Sequence, residues 1–153
     1  MAIQLAKSIG AYVATTASAE DRTYAKELGA DEVIDYKKEA FEERLTNFDA
    51  VFDTVGGETT EKSFRVLKKG GPLVSMLGQP SPALAQQYGV TAIGQMTHAT
   101  TDVLKRLAQL VDSGTIKIHV GNVFPLEKAK EAFRLLEEGH PRGKVVLEIK
   151  RDN

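Results

Sequence analysis

The chain has no cysteine, and this absence excludes several kinds of chemistry at once. Disulfide bridges, thiolate zinc sites and cysteine nucleophiles all need a residue that none of the 153 positions supplies. An excess of one charge is also lacking, since the formal net charge is -1. A chain without a broad electrostatic field is not expected to bind nucleic acid or an anionic membrane. We therefore predict neither partner.

Long hydrophobic runs are missing as well. No stretch approaches the roughly 20 apolar residues of a membrane helix, and residues 1–7 are too polar for a signal peptide. We expect a cytoplasmic protein. The three histidines, His98, His119 and His140, are isolated from one another and have no second ligand at helical spacing, so no metal site is predicted.

The sequence does contain a regular alternation of strand and helix patterns. Short apolar runs typical of buried strands are separated by amphipathic segments, and glycines stand where helices are expected to end. Strands are predicted at 11–16, 32–34, 49–54, 72–77, 90–96 and 144–149, with extended pieces at 116–120 and 122–124; helices are predicted at 2–8, 18–28, 40–45, 59–67, 82–89, 101–113 and 126–138. This alternation indicates an α/β fold with right-handed βαβ units and a doubly wound, mostly parallel sheet.

In such sheets, ligands bind beyond the carboxyl ends of the strands. Those ends are predicted at 15–18, 54–57, 77–78 and 96–97. Polar turns without a ligand are the competing interpretation, and the fold alone does not decide between the two.

Six segments in order, 2–7, 28–36, 49–57, 67–71, 123–126 and 139–147, resemble the medium-chain dehydrogenase/reductases in their quinone and enone reductase branch. The resemblance covers essentially the whole chain. It implies a Rossmann-like sheet that lacks its first strand and the glycine-rich turn that holds the cofactor pyrophosphate. It also implies that residues 1–120 form an incomplete dinucleotide-binding domain. Residues 121–153 would then be a helix and strand that return to a catalytic domain. We expect the chain to be a fragment or a truncated product that begins just past the turn.

The resemblance implies hydride transfer from NADPH to a quinone or an activated alkene, without zinc. The cofactor performs the bond chemistry in such enzymes, and the sequence identifies no catalytic residue. Asp49 and Asp53 share a face of one predicted strand, but we interpret Asp49 as the end of the preceding loop and Asp53 as a turn cap.

The choice of cofactor depends on the end of the strand at 11–16. Sites that prefer NAD place a carboxylate there for the ribose diol, whereas this chain has Thr16 and, after Ala17, Ser18. A 2′-phosphate would accept a hydrogen bond from Ser18 and pair with Arg22, and the resemblance places Tyr36 against the adenosine. NADP(H) is therefore favoured over NAD, although residues 20–21 are acidic. A helix cap (with Asp21 completing a partial capping box), a solvated charge and a packed aromatic ring are the alternative roles of Ser18, Arg22 and Tyr36.

The other predicted cofactor contacts follow later strands. At Gly56-Gly57, the backbone either approaches the cofactor ribose or forms a simple turn. The resemblance places Met96 and Thr97 beside the nicotinamide, while the alternative is an edge strand that leads into a helix cap. Together with the residues above, the predicted contacts are Val55, Gly56, Leu77, Gly78, Met96 and Thr97.

The resemblance also implies a homodimer in which strand 90–96 pairs with its mate across the sheet edge, because an unpaired apolar edge invites association. Two other functions remain open. The chain is either a folded, catalytically inactive binding or dimerisation module, or a methyltransferase-like nucleotide-binding domain. Residues 47–51 and 67–71 resemble motifs of that second fold, but the acidic residue expected after its second strand is absent.

Overall fold

The computed structural model describes residues 1–139 and 141–149 as seven helices and seven strands in an alternating α/β arrangement. His140 lies outside the described residues. The helices are α1 Ala2–Ser8, α2 Arg22–Glu27, α3 Phe41–Arg44, α4 Glu58–Ser63, α5 Pro82–Tyr88, α6 Thr101–Asp112 and α7 Ala129–Glu138; the strands are β1 Ala14–Ala17, β2 Glu32–Asp35, β3 Val51–Asp53, β4 Pro72–Ser75, β5 Thr91–Gly94, β6 Val120–Pro125 and β7 Lys144–Glu148. The predicted fold class is confirmed.

The strands form three parallel sheets. Their orders are β1-β2, β3-β4-β5 and β6-β7. Among the described residues, β1 does not pair with β3, so the sheet, which was predicted to lack its first strand, is interrupted between them.

A groove replaces the missing pairing between β1 and β3. Two cavities of about 580 and 220 Å³ open on either side of it, and residues 14–15 and 50–52 line both. The rings of Tyr12 and Phe48, which precede the two strands, lie 6.3 Å apart, whereas Thr16 and Val55 line the cavity at the other ends. The two strands therefore run in the same direction. We call this space the β1–β3 groove.

The first two sheets each have buried apolar residues of their own. Ala25, Ala30 and Val33 pack between α2 and β2, with Ile3 of α1 against them. The β3-β4-β5 sheet and its helices form a second unit, the β3–β5 unit. There Phe64 follows α4 and Leu73 lies in β4, and both are fully buried. Burial of these apolar side chains stabilises the two units separately.

Several local predictions are confirmed. Ser81 accepts a hydrogen bond from the Leu84 amide at 3.4 Å, Pro82 opens α5, and Gly89 ends it in the left-handed conformation. The predicted strand 90–96 is shorter in the structure, since β5 ends at Gly94 and excludes Met96.

The prediction that one face of α6 is buried is wrong. Three side chains of that face, Val103, Leu104 and Val111, are exposed in the structure, and Leu107 and Leu110 are half-buried. The apolar periodicity identified an amphipathic helix, but periodicity does not say whether an element of the same chain covers the apolar face.

Candidate functional site

The predicted cofactor contacts fall into two groups at the carboxyl ends of the strands. Thr16, Ser18, Arg22 and Tyr36 belong to the β1–β2 unit; Val55, Gly56, Leu77 and Gly78 follow β3 and β4. Met96 and Thr97 lie beyond β5. The structure thus brings eight of the ten residues into two clusters, one on each side of the β1–β3 groove.

The end of the β1–β2 unit is polar and open. Ala17 pairs with Asp35 in the parallel register, and the amide of Tyr36 donates to the Ala17 carbonyl at 3.3 Å, which places the exposed Tyr36 ring beside the end of β1. The guanidinium of Arg22 is half-exposed and lies 3.7 Å from Glu39. An exposed pair of this kind is weak, so Arg22 remains able to bind an anion.

Ser18 does not form the predicted helix cap. It precedes a 3₁₀ turn and accepts no cap hydrogen bond; instead its hydroxyl donates to the Asp21 carboxylate at 3.2 Å. The helix itself begins at Arg22, because the chain first makes the tighter turn over residues 19–21.

Arg142 forms an ion pair with Asp21, an acidic residue in the turn after β1. Two of its guanidinium nitrogens donate to Asp21 at 3.2 and 3.0 Å, and one donates to the Glu20 carbonyl at 3.3 Å. The same guanidinium lies 5.3 Å from the centroid of the Tyr24 ring, a favourable cation–π distance. The Asp21 carboxylate therefore accepts hydrogen bonds from two side chains, Ser18 and Arg142.

Asp53 organises the end of β3. Its side chain is 3% exposed, and one carboxylate oxygen accepts from the amides of Val55 at 2.8 Å and Gly56 at 3.1 Å. The other oxygen accepts from the hydroxyl of Thr60 on α4. The prediction that Asp53 caps a turn is confirmed, and the structure adds a helix contact to that turn.

The pKa of the Asp53 carboxyl lies below its ordinary value. Burial alone would raise this pKa, but the hydrogen bonds from Thr60, from the two backbone amides and from Ser75 of β4 stabilise the carboxylate and outweigh the burial. Asp53 is thus a charged, hydrogen-bonded structural anchor at neutral pH.

The turn at residues 55–57, which the Asp53 carboxylate caps, lies against Leu77 just beyond the end of β4. A Cβ added at Gly56, whose φ is +84°, would lie 3.1 Å from the Cβ of Leu77. Gly57 and Gly78 also have positive φ, yet nothing lies within 4 Å of the positions where their Cβ atoms would stand. The backbone is therefore open at Gly57 and Gly78, which allows close approach by a ligand.

Gln79 connects this cluster to β5. Its amide nitrogen donates to the Ala92 carbonyl at 3.1 Å, and its amide oxygen accepts from the Gly94 amide at 3.0 Å. These groups lie on the outer edge of β5, so the side chain covers the edge positions that the predicted dimer would use for strand pairing. Met96 and Thr97 are exposed beyond the strand. The dimer stays a prediction, and so do the contacts of Met96 and Thr97 with a nicotinamide.

The donor set does not fit a metal among the described residues. No group of three or more His, Asp or Glu side chains is close enough to hold an ion in residues 1–139 and 141–149. The ring of His119 lies 5.8 Å from that of Tyr24, so this histidine packs against an aromatic ring. No helix in the same residues is long and apolar enough to cross a membrane.

The sequence reasoning missed Thr60, Ser75, Gln79 and Arg142. Each acts through a contact with a residue outside its own element; for Thr60 and Asp53 the separation is 7 positions, and for Arg142 and Asp21 it is 121. One usable signal was a serine, Ser75, at a buried position of an otherwise apolar strand, since buried polar groups need a partner.

Comparisons with known proteins identify relatives of this chain. Residues 28–147 match the family model of zinc-binding dehydrogenases. An NADPH-dependent alkenal/one oxidoreductase of Arabidopsis thaliana, described as chloroplastic, is 37% identical over 96% of this chain and 36% of its own length. The structure of the quinone oxidoreductase from Coxiella burnetii has a TM-score of 0.88 and 36% identity over 97% of this chain and 48% of its own.

A further solved structure, an NAD-dependent alcohol dehydrogenase, has a TM-score of 0.84 and 33% identity, with 97% of this chain and 47% of its own covered. The chain therefore spans less than half the length of each of these three proteins.

Proposed function

The chain belongs to the zinc-binding dehydrogenase family of the medium-chain dehydrogenase/reductases, and on this basis we propose that it is the NADP(H)-binding part of a quinone or enone oxidoreductase. The substrate would be a small quinone or activated alkene, in line with the alkenal/one oxidoreductase of Arabidopsis and the quinone oxidoreductase of Coxiella. We also propose that the protein is cytoplasmic. The dinucleotide-binding domain would end at residue 120, and residues 121–153 would return to a catalytic domain.

One observation supports NADP(H) over NAD. The end of β1 carries no carboxylate, and Asp21, in the turn that follows it, is held by Arg142 and Ser18. Arg22 is exposed close by and bonded only weakly to Glu39. A 2′-phosphate would compete with Glu39 for this guanidinium and form a stronger, charge-assisted hydrogen bond.

The open backbone of the second cluster fits the remainder of a dinucleotide. No side chain fills the space at Gly57 or Gly78, while Asp53 holds Val55 and Gly56 in position through their amides. Bound nicotinamide would supply the hydride. The residues of this chain would bind and orient it: Arg22 and Tyr36 at the adenosine end, and the turns at 55–57 and 77–78 at the other.

We propose that the reaction uses no zinc. The support is the donor chemistry: the chain lacks cysteine, and the described side chains form no cluster of three ligands.

The test is a fluorescence titration of the chain with NADPH and NADH, which gives two dissociation constants. We expect tighter binding of NADPH, and we expect the substitution Arg22→Ala to weaken NADPH binding about tenfold, the effect of one charge-assisted hydrogen bond. NADH binding should remain nearly unchanged, because NADH lacks the 2′-phosphate.

Arg106→Ala is the matched control, since it removes the same charge from the exposed surface of α6. It should leave both dissociation constants unchanged. Equal affinity for NADPH and NADH in the unchanged chain would contradict the NADP(H) assignment, and equal loss in both arginine variants would show a general charge effect.

The two alternative functions differ in their support. Family membership corrects the methyltransferase-like interpretation, because the matched family is a dehydrogenase family and the match spans residues 28–147. A binding module without catalysis remains the alternative. Binding of neither nucleotide in the titration would favour that module.

A further inference from the structure

Two arginines of the β1–β2 unit converge on one carboxylate. One oxygen of Glu39 lies 3.7 Å from the Arg22 guanidinium, and its other oxygen accepts a hydrogen bond from the Arg44 guanidinium. Arg22 is the first residue of α2, whereas Arg44 is the last residue of α3. The carboxylate therefore bridges two cationic groups that come from different helices.

The loop that carries Glu39 is held from within by a buried residue. The Asp35 carboxylate, at the end of β2, accepts from the Lys37 amide at 3.1 Å. The Asp35 carbonyl accepts from the amides of Lys38 and Glu39, each at 2.9 Å. Because these bonds fix the backbone, Glu39 extends toward the arginines from a defined point. Tyr36, whose exposed ring lies beside the end of β1, belongs to the same loop.

Arg44 is oriented from its other side as well. The second terminal nitrogen of its guanidinium lies 3.5 Å from the Glu32 carboxylate, which also accepts from the Tyr12 hydroxyl at 3.4 Å. A guanidinium that is paired at two of its nitrogens has a defined plane. Arg44 is thus directed at Glu39, although its side chain is half-exposed.

Two guanidinium groups around one anion suit a phosphate better than a carboxylate. Both anions fit the planar fork of arginine with similar geometry. A phosphate monoester, however, carries about −1.5 to −2 charges near pH 7 and three acceptor oxygens. The pairs that Glu39 forms lie at the surface, where ion pairs are weak. A phosphate can therefore displace this carboxylate from both arginines.

We propose that Arg22 and Arg44 together bind the 2′-phosphate of the cofactor, and that Glu39 occupies their shared site until the phosphate displaces it. This inference rests on the proposed NADP(H) function and adds two residues to it. Arg44 becomes a second phosphate ligand, and Glu39 becomes a specificity-determining residue that lowers the affinity for phosphate. A nucleotide without the 2′-phosphate leaves the ion pairs of Glu39 in place.

The probe is adenosine 2′-monophosphate, and adenosine is its phosphate-free reference. Both lack the pyrophosphate, so their binding reports the adenosine end of the site alone. Each is titrated into the isotope-labelled full chain at about pH 7.5, where the phosphate is mostly dianionic. NMR shifts of the arginine Nε–H groups and of the backbone amides give the dissociation constants.

Substitutions of the two new residues should act in opposite directions. We expect Arg44→Ala to weaken binding of adenosine 2′-monophosphate about fivefold, and Glu39→Gln to tighten it about threefold. Neither should change the affinity for adenosine, whereas a loss of local structure would weaken both ligands. Glu43→Gln on α3 and Arg106→Ala on α6 remove the same charges from other exposed positions and should leave both affinities unchanged.

Unchanged affinity for adenosine 2′-monophosphate in Arg44→Ala and Glu39→Gln, together with a loss in Arg22→Ala, would overturn this inference and leave the proposed function intact. Equal tightening by Glu39→Gln and Glu43→Gln would also overturn it, since the effect would then be one of general charge. So would absence of binding at millimolar probe, while the titration with NADPH and NADH would still decide the proposed function. If Arg44→Ala does not fold, the comparison of the two glutamine variants decides.

Discussion

The two units that flank the β1–β3 groove hold their polar groups in opposite ways. In the β1–β2 unit, Asp35 is buried, but charged side chains such as Asp21, Arg22 and Asp31 form contacts at the surface, where water competes with each of them. In the β3–β5 unit, Asp53 and Ser75 are buried and fully hydrogen-bonded. The comparison suggests that the first unit supplies charge for ligand choice, and the second supplies a rigid turn.

Removal of the Asp53 carboxylate should give the largest effect. Asp53→Ala leaves the Thr60 hydroxyl and the amides of Val55 and Gly56 without their acceptor in a buried place. We expect a loss of about 3 kcal/mol in the free energy of unfolding, measured with urea. The control is Asp49→Ala, four residues earlier, whose exposed carboxylate pairs with Lys68.

The control should lose less than about 1 kcal/mol, since surface ion pairs contribute little. Equal losses in the two variants would break the comparison, because the buried network would then be no stronger than a surface pair.

A second pair of substitutions compares how tightly the units are packed. Gly56→Ala places a methyl group 3.1 Å from the Leu77 Cβ, an atom fixed by the backbone, while Gly29→Ala meets the Lys7 Cγ at 3.0 Å, on a flexible side chain. Both positions have positive φ, at +84° and +102°. We expect losses of about 2 to 3 kcal/mol at Gly56 and about 1 to 2 kcal/mol at Gly29.

Urea unfolding of the two alanine variants measures this difference. A larger loss at Gly29 would show that the β1–β2 unit is the more rigid one. The tighter packing would then be assigned to the unit that contains Gly29, and not to the unit that contains Gly56.

The sequence predicted the elements better than their contacts. Alternating apolar periods located every described strand and helix to within a few residues, because periodicity is a local property. The site was predicted only in its position at the strand ends. The partners of Asp21 and Asp53 could not be predicted, since Arg142 and Ser75 reach them through the fold. The prediction that the apolar face of α6 is buried was wrong for the same reason, because burial depends on contacts between elements.

The smallest expected effect is the pH dependence of stability, which differs between the two units. The pKa of Asp53 is lowered from its ordinary value of 3.8, with burial opposing and hydrogen bonds from Thr60 and the backbone amides prevailing; that of Asp31 is lowered chiefly by its hydrogen bond from Lys7. A carboxyl whose pKa is lower in the folded state stabilises the fold above pH 3.8, and this contribution is lost as the pH falls through the folded pKa.

We therefore expect the stability difference between the unchanged chain and Asp53→Asn to be constant from pH 7 to about pH 4 and to shrink below it. Other carboxylates titrate in both proteins, so the difference isolates Asp53. The corresponding difference for Asp31→Asn should be smaller and should fall with added salt, because Asp31 and Lys7 are both partly exposed. Urea unfolding at each pH and at two salt concentrations measures both. A salt-sensitive difference at Asp53 would place its stabilisation at the surface, and the contrast between the two units would then not hold.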